Sequence, residues 1–352
     1  MRGLLLFAAS IQSSVISYNE DWRDAFLKYD HVTWDQCNLA NRAWLMIVPK
    51  IRKYDLIILL HSTNSNMDYV SPLLKKALQY RKGKLLIFIG NEYKLIPEKL
   101  DMVHEIAADF VASQLPQDRA DWLYDECSAK TLSVPHALNP DVFFSREPLS
   151  RRKIDIGERS AEYPWYIGDV DRNKIPDLLI QIMDYGFKVD CSHDDAKRFD
   201  RQGWAKFLSS CVATVTTEAG TSFLEKDDRT RLAVNKYVNE NPSCTFADVY
   251  KLFFEHYSNA VSGKIISPRH FDAVGTKTCL IMFPGRFNDI LKPDEHYISL
   301  QPDLSNLGDV VEKLKDESFL QKMVDKTHEY ILDAHTHNRR MQTLMSIVKN
   351  SF

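Results

Sequence analysis

The sequence predicts an α/β protein of two tandem lobes, each a parallel sheet wound on both faces by helices. Three observations carry that expectation. The chain has 352 residues, more than one hydrophobic core usually holds. Short apolar runs alternate with helical stretches through its first half, and the same alternation resumes after a proline-bearing break. With 44% hydrophobic and 26% charged residues, the chain has enough apolar material for two cores and reads as globular.

In the first half Leu4 to Ala9, Leu56 to Leu60 and Leu85 to Ile89 are apolar throughout, as strands covered on both faces should be. Asp109 to Ala112 and Thr131 to Val134 are weaker strands of the same kind. Between them, Val70 to Arg81 places Leu73, Leu74, Ala77, Leu78 and Tyr80 on a helical stripe. Around residues 135–153, Pro135, Pro140 and Pro148 break the pattern, and the lobe boundary is expected there. The second lobe is then read as strands at Tyr166 to Ile167, Lys188 to Asp190, Val212 to Thr216, Cys279 to Met282 and Tyr297 to Leu300. From Leu320 to Val348 the 3/4 spacing predicts helix. That helix either packs back on the first lobe or docks on the second. The resulting division is 1–145, 146–335 and a terminal helix 336–352. Two such lobes place a cleft between sheet edges, where open α/β sheets bind ligands.

Composition excludes several classes. The net charge is −3, and the only basic run, Arg151 to Lys153, is short, so no nucleic-acid footprint exists. That run leaves room for peripheral contact with an anionic membrane. The six cysteines contain no CxxC pair, which argues against a structural zinc site and for a reduced, cytoplasmic compartment. The N-terminal apolar run, Leu4 to Ala9, is shorter than the about 7–15 residues of a signal-peptide core. No run approaches the roughly 18 apolar residues of a membrane span.

Ile265-Ile266-Ser267-Pro268-Arg269-His270-Phe271-Asp272-Ala273 is the most informative segment. Ser267 is a favoured N-cap and Pro268 a favoured first residue, so a helix starts here. Its positive end, with Arg269 in the first turn, suits a diphosphate. Asp272 lies one turn further in, where a carboxylate can accept from ribose hydroxyls. An ordinary capped helix has the same signature. Asp169-Val170-Asp171 has the form of a manganese-binding DxD, but it reads better as a turn beside Arg172. His335-Thr336-His337 and His193-Asp194-Asp195 lack a third ligand at helical spacing, so no metal site is expected. There is no GxSxG, P-loop or GxGxxG, so hydrolase, kinase and dehydrogenase readings lack their parts.

Three further stretches extend the pattern around Ser267: Thr278 to Gly285, Ile290 to Tyr297 (Ile-Leu-Lys-Pro-Asp-Glu-His-Tyr), and Trp204 to Gly220 ending Thr216-Thr217-Glu218-Ala219-Gly220. Together with Asp155 to Asp171, they resemble the C-terminal domain of group 1 glycosyltransferases, in the spore-maturation-protein-like branch. The resemblance covers roughly residues 130–335. It implies the GT-B architecture, two Rossmann-like lobes facing a cleft, and transfer of a sugar from a UDP-, GDP- or dTDP-sugar to a carbohydrate or other hydroxyl-bearing acceptor. It implies no cofactor beyond the donor and no metal. Carried over by position, Arg172 and Lys174 hold the donor diphosphate, Ser267 and Arg269 cradle phosphate at the helix start, and Asp272 holds the ribose. The chain departs from the family's pair of glutamates separated by seven residues: Asp272 takes the second place and Lys264, eight positions earlier, the first. Glu218 then stands as a substitute sugar contact. His61 and Glu92, after strands of the first lobe, are candidate bases for the acceptor, and His136 sits near the connector. A nucleotide-sugar epimerase, or a non-catalytic nucleotide- or carbohydrate-binding protein, would share the same architecture.

Overall fold

A computed structural model describes residues 1–9, 17–66, 69–258 and 261–351. In chain order the strands are β1 (Arg2–Phe7), β2 (Thr33–Asn38), β3 (Leu56–Leu59), β4 (Lys84–Phe88), β5 (Phe110–Ser113), β6 (Lys130–Ser133), β7 (Ile154–Arg159), β8 (Val189–Ser192), β9 (Cys211–Thr216), β10 (Ala219–Thr221), β11 (Gly263–Ile265), β12 (Cys279–Met282) and β13 (Ile298–Ser299). The helices are α1 (Ser17–Leu27), α2 (Pro72–Gln79), α3 (Ile96–Glu105), α4 (Gln117–Leu123), α5 (Ile175–Met183), α6 (Arg201–Ser209), α7 (Arg229–Glu240), α8 (Phe246–Phe253), α9 (Pro268–Gly275), α10 (Leu307–Lys315), α11 (Glu317–Ala334) and α12 (His337–Lys349). No described helix is long and apolar enough to cross a membrane.

The chain forms two compact units. The first gathers Met1–Pro135, Gly220–Gly263 and Arg340–Phe352, and the second His136–Ala219 and Lys264–Arg339. The division at 135/136 falls before that read from the prolines, because Leu138, Val142 and Phe143 pack into the second unit's core. The segment 220–263 belongs with the first unit, which local sequence did not signal. It is held there by non-local polar contacts: Lys226 to Asp125 at 2.6 Å, and the Leu95 N–H donating to Asp228 at 2.6 Å.

The first unit is a parallel sheet in the order β2-β1-β3-β4-β5-β6. All four residues of β3 are buried, as a central strand covered on both faces requires. β2 escaped the sequence reading because it is an edge strand: of Thr-Trp-Asp-Gln-Cys-Asn only Cys37 is buried. Met341, Leu344, Met345 and Val348 of α12 join Leu5, Trp22, Phe26 and Phe88 in this unit's core. The helix expected over 320–348 is two helices. They break at His335-Thr336, where the His335 carbonyl accepts from the Leu138 N–H and the Leu138 carbonyl accepts from the His337 N–H, both at 2.9 Å.

The second unit is a parallel sheet ordered β13-β12-β9-β7-β8. β12 shows why its strands read as continuous apolar runs: Cys279 and Ile281 enter one core, Leu280 and Met282 the other. The run Pro164 to Gly168 is a correction. It forms a 3₁₀ turn, Trp165–Ile167, closed by Gly168 at φ 83°, and the first strand of the unit is β7 instead. β7 was obscured by Gly157, yet the strand needs that glycine. A Cβ there would lie 2.2 Å from Cys211 Sγ and 2.8 Å from the Phe207 ring. Gly157→Ala is therefore expected to lower stability by about 1–3 kcal/mol through overpacking. A drop in the urea midpoint, followed by tryptophan fluorescence, checks it.

Candidate functional site

In the second sheet the chain runs from β7 to β8 on one side and then returns to β9 on the other. The strand order therefore switches at β7, and the carboxyl ends of β7 and β9 mark the place where sheets of this kind bind ligands. The turn before α5, the start of α9 and the turn between β9 and β10 carry the sequence-predicted side chains of this unit.

Arg172 is 3% exposed, and its guanidinium stacks on the Tyr163 ring at 3.6 Å from Cζ to the ring centroid. The loop bearing Tyr163 is clamped by Asn173: the Tyr163 N–H donates to Asn173 Oδ1 at 2.8 Å, and Asn173 Nδ2 donates to the Tyr163 carbonyl at 2.9 Å. One terminal nitrogen of Arg172, though buried, makes no hydrogen bond within the chain. Arg269 lies close by. Burial pushes its guanidinium down to about 10, and the positive charge of Arg172 pushes in the same direction. Arg172 is buried and Arg269 is partly exposed, so the unit brings two mutually repelling guanidinium groups together, and the buried Arg172 nitrogen has unused donor capacity. That arrangement suits an anion with several oxygens. Lys174 follows in the same turn but is exposed.

Ser267 and Pro268 start α9 as expected, but the cap differs in detail. The Ser267 N–H donates to His270 Nδ1 at 3.0 Å, and the Ser267 hydroxyl lies 3.0 Å from the same nitrogen. Burial pushes His270 down to about 3, so the ring is neutral. The cap is thereby occupied by the protein itself, and the cation at the helix start is Arg269. Asp272 is 3% exposed and accepts from the Trp204 indole N–H at 3.0 Å.

A left-handed stretch at Phe287, Asn288 and Asp289 (φ 45°, 52° and 62°) braces this helix start. Asn288 Oδ1 accepts from the Ile266 N–H at 2.8 Å, and Glu218 Oε1 accepts from the Phe287 N–H at 2.7 Å. Burial raises the Glu218 carboxyl, although the Phe287 bond and Lys264 work against the rise. Gly285 must lack a side chain, since a Cβ would come within 2.5 Å of Glu218 Oε2. Lys264 pairs with Asp169, the first acid of the DxD-like tripeptide. Burial and Asp169 both raise Asp171. Tyr163 and Glu158 were missed by sequence reasoning, because neither lies at a spacing that ties it to Arg172 or Arg269.

The two candidates from the first unit are placed otherwise than expected. His61 does not sit at a rim: it is fully buried among Tyr18, Trp22 and Phe88, with ring centroids 5.6, 6.2 and 4.9 Å away. Glu92 is also buried. It accepts from Ser113 Oγ and Tyr124 OH at 2.6 Å each, and from the Gln114 N–H at 2.8 Å. Burial raises its carboxyl. Nearby Lys99, lowered to about 7 by burial, donates to the carbonyls of Gly90, Asn91 and Lys94. This is a network that folds the loop after β4 onto α3. His136, at the start of the second unit, is buried as well.

Residues 203–346 match a family model described as glycosyl transferase-like. That span contains Glu218, Arg269 and Asp272, while Arg172 lies before it. No sequence match was found among curated proteins. Among solved structures, the whole chain is similar to T4 phage BGT in complex with UDP-glucose, at 12% identity, TM-score 0.58, covering 99% of each chain. It is also similar to Anabaena Alr3699/HepE in complex with UDP-glucose, at 10% identity, TM-score 0.53, covering 98% of this chain and 100% of that one. A UDP-forming α,α-trehalose-phosphate synthase from Burkholderia vietnamiensis matches at 10% identity, TM-score 0.51, over 99% and 98%. These likenesses give the fold, which is GT-B.

His61 gives a pH signature. Burial lowers it from 6.5 to about 3. As pH falls below 6.5 the unfolded chain takes up a proton that the folded chain refuses, so stability is full above 6.5 and lost towards 3. At pH 5 the loss is on the order of 2 kcal/mol. Urea midpoints at pH 7.5 and pH 5 should differ less in His61→Leu than in the parent chain by that amount.

Proposed function

We propose that the chain is a glycosyltransferase whose donor, a nucleotide sugar, places its diphosphate between Arg172 and Arg269. The observation that carries this is the buried Arg172 nitrogen with no partner in the chain, beside the partly exposed guanidinium of Arg269 at the helix start. A buried donor left without an acceptor costs about 1–3 kcal/mol, more when charged, and a phosphate oxygen removes that cost. Transfer breaks the bond between the sugar's anomeric carbon and the β-phosphate oxygen. It forms a bond from that carbon to the acceptor oxygen and releases the acceptor's proton. Charge growing on the leaving diphosphate is met by the two guanidiniums, fixed in place by Tyr163 and by the helix start. In this reading no metal ion is assigned to the leaving group.

Glu218, at the carboxyl end of β9, is assigned to the transferred sugar. Asp272 is assigned to the ribose, sharing its carboxylate with Trp204. The reading rests on the arginines more than on Asp272, which is nearly closed off. Neither His61 nor Glu92 is assigned the acceptor base. The six cysteines are free thiols, which fits a reducing, cytoplasmic compartment.

Two of the solved structures named above hold UDP-glucose and the third is described as UDP-forming, so uridine nucleotides lead the test. Thermal shifts are measured with UDP, GDP, ADP, CMP, dTDP and their common sugar conjugates. A ligand at 100 times its Kd stabilises by about 2.7 kcal/mol. One nucleotide series should raise the midpoint selectively, and Arg269→Ala should weaken its binding roughly 10–100-fold, the value of a charge-assisted hydrogen bond. No shift with any nucleotide overturns the reading. An isomerised donor formed without acceptor would identify an epimerase instead.

A further inference from the structure

At the carboxyl ends of β7 and β8, three side chains of different chemistry turn to one point. Glu158 and Cys191 face each other in the register of the paired strands, and His193 directly follows β8. Glu158 is 3% exposed, and the His193 side chain 9%. Glu158 Oε2 lies 3.5 Å from Cys191 Sγ and 3.2 Å from His193 Nε2, and one ligand atom of each residue lies within 4.8 Å of the other two. We propose that Glu158, Cys191 and His193 form a binding site for one divalent transition-metal ion of the zinc type.

The geometry supports this first. Around a tetrahedral ion with bonds of about 2.3 Å to sulfur and about 2.0–2.1 Å to nitrogen and oxygen, sulfur and oxygen lie about 3.5 Å apart, and nitrogen and oxygen about 3.3 Å. Two edges of the triangle already have those lengths. The donor set of thiol, imidazole and carboxylate is one that zinc accepts, and hard cations such as magnesium do not. Charge balance supports it next. With the thiol ionised, an ion of charge +2 beside one thiolate and one carboxylate is neutral overall, so the site tolerates nearby Arg269, whose charge already acts on Glu158. Binding replaces the sulfhydryl proton, which leaves to solvent as the metal–sulfur bond forms. Binding through Nε2 leaves the imidazole proton on Nδ1, which is buried and makes no hydrogen bond within the chain, a cost that the metal–nitrogen bond must offset. Ser160 Oγ, 3.1 Å from His193 Nε2, stands beside the remaining corner.

The competing account is a plain hydrogen-bond cluster, in which thiol and imidazole both donate to one carboxylate oxygen. Burial tends to raise Glu158, but the bonds from His193 and Ser160 outweigh it and hold its carboxyl low. The two accounts differ in one measurable property, thiolate–metal bonding.

The test titrates the full-length, chelator-stripped protein with Co²⁺ and follows the near-ultraviolet thiolate-to-cobalt absorption and the visible bands of tetrahedral cobalt. One ion per chain should saturate both signals, and Zn²⁺ should displace it. Cys191→Ser keeps the shape and a donor to Glu158, and it should abolish the thiolate band. His193→Ala should weaken binding by more than the about 10–100-fold that loss of an outer-shell partner costs. Cys244→Ser, in the segment between α7 and α8, should leave both signals unchanged. Metal-free melting curves of the variants establish that each is folded, and Glu158→Gln replaces any that is not. Absence of a saturable thiolate band, or a band that survives Cys191→Ser, overturns the proposal. The inference is tested apart from the glycosyl-transfer reading, since the cobalt titration reads thiolate–metal bonding and the nucleotide screen reads donor binding, and either can fail alone.

Discussion

Burying a guanidinium is costly unless its donors are met, and burying two that repel each other is costlier still. The second unit contains a control for this argument within itself. Arg152 is buried too, but its donors are met: Cys211 O at 2.7 Å, Thr278 Oγ1 at 3.0 Å, Thr276 O at 2.7 Å and Glu147 O at 3.1 Å. It stitches the connector to β9 and to the turn after α9, which is what a structural arginine does. Arg172 is as deeply buried, yet one of its nitrogens has no acceptor, and its main support is the face of Tyr163. Arg152 spends its donors on the chain's own carbonyls, whereas Arg172 keeps one for a ligand in the reading proposed above. The surrounding structure is arranged to keep the pair in place. Asn173 locks the Tyr163 loop, the Ser267–His270 cap fixes the helix start, and Glu158 places a negative charge near Arg269.

How much of this was legible in the sequence follows from how local each feature is. The start of α9 was readable because Ser267 and Pro268 act within one turn. Central strands such as β3 and β12 were readable because burial on both faces leaves only apolar residues. β2 and β7 were not. An edge strand has an exposed face that admits Asp35 and Gln36, and β7 carries a glycine demanded by Cys211 and Phe207 of other elements. Membership of residues 220–263 in the first unit depends on Asp125 and on the Leu95 N–H, each distant in sequence, and no window of local pattern contains them.

The same distinction governs the site. Strand-end reasoning brought attention to His61 and Glu92, but it specifies where a backbone ends and not which way a side chain turns. His61 turns into an aromatic cage, and Glu92 turns back to three donors that complete the loop above Lys99. Tyr163 and Glu158 could only be found in three dimensions, because a stacking platform and a counter-charge leave no periodic signal. His193, set aside in the sequence for want of a third ligand nearby, acquires its neighbours from strands rather than from helical spacing.

Lys264 shows how a departure from an expected pattern is absorbed. A lysine in place of a carboxylate adds a cation beside Glu218 and Asp171. Asp169, three residues before Arg172, pairs with it and removes that excess. The substitution and its partner come from segments nearly a hundred residues apart, so each looks anomalous when read alone: a misplaced lysine, and an acidic tripeptide resembling a metal motif. Joined, they cancel. The anion-binding character of the site is then set by the two arginines, and the remaining carboxylate at the end of β9, Glu218, is held by the Phe287 backbone in a loop whose left-handed turn leaves it little freedom to move.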